Sequence, residues 1–314
     1  MYEECASGVM SIKHVVEYLA FKVVAGIVQL LPLHVVQRTG AALGEFVYSA
    51  FGFRRTVTLD NLQHAFPEKS PAELEEIARE SFRSVGTAFF ELLWFPRLTD
   101  SSLRRLFVYE NPEFVLDLLT QGKGVIMVAA HFGNWELTAL AFSVYTGVPL
   151  NVIAKTQSNK LVNASIAKRR TRFGNVLIPM GISVRDLVRA LEQGKAVGIV
   201  PDQSAPKESV PIEFFGRPVP THQGPAVFSL KMGAPLIATF PARQADGSYK
   251  GRFVRIPTDD LGSYTEETMI ELTKRHVKLT EDAIREHPNQ WMWMHKRWKH
   301  AAANPGLVEG TLRE

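Results

Sequence analysis

The segment Ala129-Ala130-His131-Phe132-Gly133-Asn134-Trp135-Glu136 places an imidazole and a carboxylate five positions apart, around a glycine and an asparagine. The run before it, GVIMVAA from Gly124 to Ala130, is continuous and apolar, the pattern of a strand buried on both faces. His131 therefore stands just past a strand end, where open α/β sheets build their sites. Gly133 permits a tight turn and Asn134 can cap the helix that follows, so Glu136 falls in that helix's first turn. Because the chain reverses between the two residues, the Glu136 carboxylate can reach back to the His131 ring. A histidine held in one tautomer by a carboxylate is a general base for an alcohol.

Spacing alone does not select this pair. With nine histidines in 314 residues, about one His-x4-Glu match is expected by chance. His276 and Glu281 form a second match. That pair lies inside a helical pattern, where five residues turn through about 500° and leave the side chains about 140° apart. They cannot meet, whereas residues that straddle a turn can. A metal centre is not indicated: there is no His-Glu-x-x-His, and no cluster supplies two further ligands beside His131. Gly-x-Ser-x-Gly elbows, P-loops and Gly-x-Gly-x-x-Gly turns are also missing. The one cysteine, Cys5, sits near the N-terminus and permits no internal disulfide. The His131/Glu136 pair is thus expected to activate a substrate hydroxyl rather than one of the protein's own. Lys155 and Arg170 are candidate donors to a developing oxyanion. The plainer alternative for Arg170, within KRRTR, is a solvated basic helix face.

The elements that must position these groups alternate. Strand patterns VPLNVIA, VLIP, KAVGIVPD and APLIATFPA are interleaved with helical patterns NWELTALAFSVYTG, SNKLVNASIAKRRTRFG, SVRDLVRALEQG and THQGPAVFSLKMG. This order predicts an α/β fold with a mostly parallel central sheet covered by helices. KGRFVRIP reads as an edge strand, and EETMIELTKRHVKLTEDAIREHP as a long last helix. Upstream, Ser70-Pro71-Ala72-Glu73 is a capping box that opens a helix ended by Pro96. Asp202 and Gln203 close the strand AVGIV on the same face of the sheet as His131. The stretch from Pro201 to Ala226 is too polar and too rich in proline and glycine to be core. It reads as a long loop, and such loops are uncommon unless functional. Within it, Thr221 and Gly224 precede a helix whose first N–H groups could face a phosphate or an oxyanion.

The N-terminal part differs in texture. Residues 14–35 are strongly apolar but carry Glu17, Lys22 and Gln29, and Pro32 interrupts them. A second apolar run, Gly40 to Phe53, ends at Arg54-Arg55. Two apolar helices closed by a basic pair suit a chain attached to a cytoplasmic membrane leaflet. An ordinary pair of core helices is the other reading, and whether the first run crosses the bilayer is left open. The expected division is a membrane-associated helical segment at 1–55, a catalytic domain at 56–300 and a flexible tail at 301–314. Net charge is +4 with no RNA-recognition motif, zinc-finger spacing or basic block, so a nucleic-acid partner is not expected.

AAHFGNWE, then VPDQ, then FFGRPVPTHQGPA, then HPNQWMWMHKRWK resemble, in order and spacing, the lipid A biosynthesis acyltransferases. These are the late, secondary acyltransferases of Gram-negative bacteria, within the wider lysophospholipid acyltransferase superfamily. The likeness runs from about Tyr18 to about Lys299. It implies an enzyme on the cytoplasmic face of the bacterial inner membrane. Its acyl donor would be a thioester of acyl carrier protein or coenzyme A, its acceptor a glycolipid hydroxyl, and it would need no cofactor. His131 would be the base and Glu136 its partner. Asp202 and Gln203 match the family's acidic motif, and Phe215, Gly216, Thr221 and Gly224 its Gly/Thr motif, so these residues with Asn134, Lys155 and Arg170 would bind substrate. Ala154-Lys155 stands where the family often has Tyr/Phe-Arg, and Glu136 where many members have aspartate. The basic groups Lys168-Arg169-Arg170, Arg172 and Lys296-Arg297-Lys299 would form a rim for an acidic carrier protein or for anionic lipid. Transfer to another lysolipid or to phosphatidylinositol mannoside, and hydrolysis by the same dyad, are the alternatives.

Overall fold

A computed structural model of the chain describes residues 11–180 and 183–301. It opens with five helices: α1 (Ile12–Leu30), α2 (Leu33–Phe51), α3 (Arg55–Ala65), α4 (Pro71–Trp94) and α5 (Asp100–Leu106). Then come β1 (Phe107–Tyr109), α6 (Pro112–Leu119), β2 (Val125–Val128), α7 (Trp135–Thr146), β3 (Leu150–Ala154), α8 (Lys160–Arg170) and β4 (Val176–Pro179). The second half holds α9 (Ser183–Glu192), β5 (Ala196–Ile199), β6 (Pro211–Phe214), β7 (Arg217–Pro220), α10 (Gly224–Met232) and β8 (Leu236–Ala238). Short strands β9 (Ala242–Arg243), β10 (Tyr249–Gly251) and β11 (Val254–Ile256) lead to α11 (Glu266–Glu286).

The fold is mixed α/β. Its largest sheet has the order β11-β8-β2-β5-β3-β4, with parallel pairing from β8 to β4 and β11 antiparallel at the edge. The smaller sheets, β1-β10-β9 and the hairpin β6-β7, contain antiparallel pairs. The apolar runs of β2 and β5 are buried at every position because helices cover both faces. The pleat sends Val125 and Met127 into one core with Leu118, Leu137 and Leu140. It sends Ile126 and Val128 into another with Leu187, Leu191 and Ala226.

The stretch expected to be a surface loop differs. Residues 211–220 form the β6-β7 hairpin, with Phe215 (φ 52°) and Gly216 (φ 71°) as its two left-handed turn residues. Ile212, Phe214, Phe215 and Val219 are buried in an aromatic core with Phe66, Trp291, Trp293 and Trp298. Pro211, Pro218 and Pro220 hide the two-residue alternation; an isolated hairpin has no ladder on its outer sides and tolerates them.

At the N-terminal end, the chain breaks between α1 and α2 at Pro32. Helix α2 lies tightly across α4. A Cβ at Gly40 would stand 2.7 Å from the Gly86 carbonyl oxygen, and one at Gly44 would collide with the Phe82 carbonyl. The outer faces stay apolar: Val16, Leu19, Val23, Ile27 and Leu30 of α1, and Leu43, Phe46 and Phe51 of α2, are exposed. Among the described residues no helix is long and apolar enough to cross a membrane. Cys5 and the tail from residue 302 lie outside the described residues.

Candidate active site

Strand register builds the site. β2 and β5 run parallel with Val128 opposite Ile199. His131 lies three residues past Val128, and Asp202 three past Ile199, so the two side chains meet beyond the same edge of the sheet. One Asp202 oxygen is 2.7 Å from His131 Nδ1. The other accepts the His131 backbone N–H at 2.8 Å and the Trp291 indole N–H at 2.8 Å. The Asp202 side chain is 1% exposed and that of His131 21%. Burial by itself would raise the Asp202 carboxyl, but the His131 charge and these hydrogen bonds hold it below the usual carboxylate range. Burial likewise pushes His131 toward the neutral form. The charge and hydrogen bond of Asp202, helped by Glu136 and opposed by Arg170, outweigh it and raise the imidazole above its ordinary value. With Nδ1 bound to the aspartate, Nε2 is the basic atom. Gln203 Nε2 lies 3.3 Å from it, and the Trp135 ring sits 5.2 Å from the imidazole.

The carboxylate expected at His131 is therefore placed differently. Glu136 does lie in the first turn of α7, but it takes a bidentate pair from Arg170 of α8, at 2.7 Å from Nε and 2.5 Å from a terminal nitrogen. It reaches His131 only through its charge. Asp202 occupies the ring nitrogen because equal strand overhang delivers it there, whereas α7 carries Glu136 toward α8. The Arg170 guanidinium, set against solvent in the plainer reading, is half-buried and committed to this pair.

Asn134 caps α7, accepting the Leu137 N–H at 2.9 Å, and it donates to buried Glu91 of α4 at 2.6 Å. Glu91 also accepts from Tyr249 and from Gln37 of α2, each at 2.7 Å. Lys155 is exposed beyond the end of β3. Phe215 is core, and its N–H donates to Glu281 at 2.7 Å. Gly216 is the open end of the hairpin. Thr221 is buried with its hydroxyl taken by Arg297 at 2.8 Å, and Gly224 begins α10. The sheet edge thus brings together His131, Glu136, Arg170, Asp202 and Gln203, while the hairpin residues support it from below. His276 is buried and Glu281 pairs with Arg285, so the second His-x4-Glu match makes no dyad. The basic rim is also divided: Arg169 and Arg297 are buried, and Arg172 donates to the Leu98 carbonyl. No group of three His, Cys, Asp or Glu residues among the described residues could hold a metal ion.

Three contributors were given no role by the sequence reading, although two of them lie in the motif HPNQWMWMHKRWK. The segment after α11 runs over the His131 turn: Gly133 N–H donates to the Gln290 carbonyl at 2.9 Å, and Met292 N–H to the His131 carbonyl at 3.0 Å. Trp291 bridges Phe132 there and fixes Asp202. Glu91 was visible as a lone carboxylate inside the apolar run FFELLW, the mark of a buried charge with partners elsewhere.

Residues 7–300 match the family described as "Bacterial lipid A biosynthesis acyltransferase". The chain is 29% identical over 273 residues to a lipid A biosynthesis palmitoleoyltransferase of Escherichia coli (strain K12), covering 86% of each chain. It is 27% identical over 275 residues to a lipid A biosynthesis lauroyltransferase of the same strain, covering 86% of this chain and 87% of the relative. Similarity also extends to a phosphatidylinositol mannoside acyltransferase of Mycolicibacterium smegmatis, 20% identical over 184 residues, or 57% of this chain and 60% of that one.

Proposed function

Since the chain belongs to the bacterial lipid A biosynthesis acyltransferase family, we propose that it moves a fatty acyl group from a thioester of acyl carrier protein or coenzyme A to a hydroxyl of a lipid A-type glycolipid. His131 Nε2 takes the proton of the acceptor hydroxyl. The oxygen attacks the thioester carbonyl carbon, the C–S bond breaks, and the imidazolium returns the proton to the leaving thiolate. Transfer is direct, with no acyl-enzyme and no cofactor. Asp202 holds the ring in the tautomer that leaves Nε2 free and stabilises the imidazolium. The observation that carries this reading is the 2.7 Å contact of His131 Nδ1 with a buried carboxylate, on a ring that remains partly exposed. Glu136 acts by orienting Arg170, whose guanidinium is the candidate donor to the thioester oxyanion. Gln203 is displaced from Nε2 when the acceptor hydroxyl arrives.

The enzyme works on the cytoplasmic face of the bacterial inner membrane, held by the exposed apolar faces of α1 and α2. The acidic carrier docks on exposed basic side chains on the α8 side of the site, Lys155 and Lys168 among them. The test incubates the protein with acyl carrier protein or coenzyme A thioesters and a panel of glycolipid acceptors, phosphatidylinositol mannoside among them. Mass spectrometry identifies the product. Acylated glycolipid is expected, and His131→Ala should lower its rate by about 10²- to 10⁴-fold. Release of free fatty acid at the same rate without acceptor would mean a thioesterase instead.

A further inference from the structure

A cleft of about 870 Å³ opens beside the site, between the start of α3, the residues after β5 and the segment after α11. Arg54, Arg55, His295, Lys296, Lys299 and His300 line it, and no carboxylate does. Arg55 pairs with Glu75 at 2.8 Å, but Arg54, Lys296 and Lys299 have no acidic partner among the described residues. Thr56 and Val57 also line the cleft, in the first turn of α3, a helix of 11 residues with no side-chain cap. The N-terminal end of this helix adds partial positive charge to that of the cationic side chains. The buried Nδ1 of His295 has no hydrogen-bond partner.

Two placements say what such a cleft would hold. Ser204, on its wall, is two residues past Asp202, so the cleft adjoins the catalytic histidine. On the other side, Phe51 and Phe53 are 73% and 56% exposed and flank Gly52 at the rim, where the apolar outer face of α2 ends. An anion bound here would have apolar surface on one side and His131 on the other. That is the geometry of a lipid headgroup. Arginine, lysine and an open helix N-terminus together favour a phosphoryl group, which offers several charged acceptor oxygens. We propose that the cleft binds a phosphomonoester carried by the lipid acceptor and thereby presents the acceptor hydroxyl to His131 Nε2. The inference rests on the acyl-transfer reading above and names what selects its acceptor.

The experiment has a binding arm and a kinetic arm. Wild type, Lys296→Gln/Lys299→Gln, Arg54→Gln/Lys299→Gln and a charge-matched control, Lys123→Gln/Lys274→Gln, are floated with phosphatidylcholine vesicles. The vesicles contain phosphatidic acid or, at equal surface charge, phosphatidylglycerol. Wild type and control should prefer the phosphomonoester, and both cleft variants should lose that preference. In the kinetic arm, KM for a phosphorylated glycolipid should rise about tenfold or more in the cleft variants, as expected for lost charge-assisted contacts. KM for the thioester donor should not move. The phosphatase-treated acceptor should show a high KM that the variants leave unchanged. A rise confined to the donor KM would assign the cleft to the thioester's carrier and overturn the proposal. So would vesicle binding that follows surface charge alone. If wild type transfers no acyl group to any acceptor yet the phosphomonoester preference is lost in the variants, the acyl-transfer reading fails and the cleft assignment survives.

Discussion

Asp202 spends one oxygen on the His131 ring and the other on two N–H donors, from His131 itself and Trp291. Its amide cannot do this. In Asp202→Asn, either the ring nitrogen or the two N–H groups must face an NH2, and the negative charge is gone. A loss of about 10²- to 10⁴-fold in rate is expected. The pH profile should move as well. Activity needs neutral Nε2, so it falls as pH drops through the pKa of His131, which Asp202 raises. Removing that charge lowers the pKa, and the acid limb of the residual kcat/KM should shift to lower pH. Glu136→Gln should shift the limb in the same direction but less, because Glu136 acts on the ring through space. A larger shift from Glu136→Gln would restore it as the primary partner. His276 gives the opposite lesson about matching motifs. Burial, and then Arg297, push its pKa from 6.5 down to about 3. A buried base with a depressed pKa must be protonated for the unfolded state to win, so stability is full above 6.5 and falls as pH decreases toward 3. His276→Leu should flatten that acid loss in a denaturation series and leave kcat nearly unchanged. A rate loss like that of His131→Ala would show that the wrong histidine was chosen.

Between elements, the seam of α2 on α4 decides more than either helix alone. Gly40, Gly44 and Gly86 let the backbones touch, and the approach allows Gln37 to reach Glu91, which in turn holds the Asn134 cap of the catalytic helix. Gly44→Ala puts a methyl into the Phe82 carbonyl, and overpacking of this kind costs about 1–3 kcal/mol. Its Tm should fall, and activity should fall with it because the chain from Gln37 to Asn134 is strained. Gly26→Ala, in exposed α1 with nothing within 4 Å, should instead hold or raise Tm, since alanine favours a helix by roughly 0.5–1 kcal/mol. Equal effects in the two variants would mean the seam is not close-packed in solution. This scale also marks what could be read beforehand. The strand-end position of His131, the cap at Asn134 and the box at Ser70 are local, and the structure has each of them. The pairing of His131 with Asp202 depends on which strands are neighbours and in what register, and 71 residues separate the two. Asp202 was legible as a site-face residue but not as the ring's partner. The hairpin at 211–220 was masked by its prolines, and Trp291 acts through a fold-back that no local pattern encodes.

For the molecule as a whole, composition is balanced enough to mislead: a net charge of +4 and ordinary apolar content describe many soluble proteins. Distribution is what differs. Val16, Leu19, Val23, Ile27 and Leu30 of α1, with Leu43, Phe46 and Phe51 of α2 and then Phe53, give each of the two N-terminal helices an exposed apolar face. Soluble monomers rarely expose such a patch without a partner for it. Among the described residues no helix is long and apolar enough to cross a membrane, and the expected attachment draws on burial of these exposed side chains, worth about 25 cal/mol per Å². Arg54, Lys296 and Lys299 at the end of the α2 face would then sit at headgroup depth. The two contributions separate by solvent. Charges exposed to water are screened within about 3 Å at 1 M salt, while apolar burial is not weakened by it. Membrane fractions washed in high salt should retain the protein, and detergent should release it. Val23→Asp/Ile27→Asp should lower the membrane-bound fraction without lowering kcat on a detergent-dispersed acceptor, because these residues lie on the outer face of α1 and away from His131. Release by salt alone, with the aspartate variant still bound in low salt, would mean that the basic end of the face carries attachment and that the apolar helices cover something else.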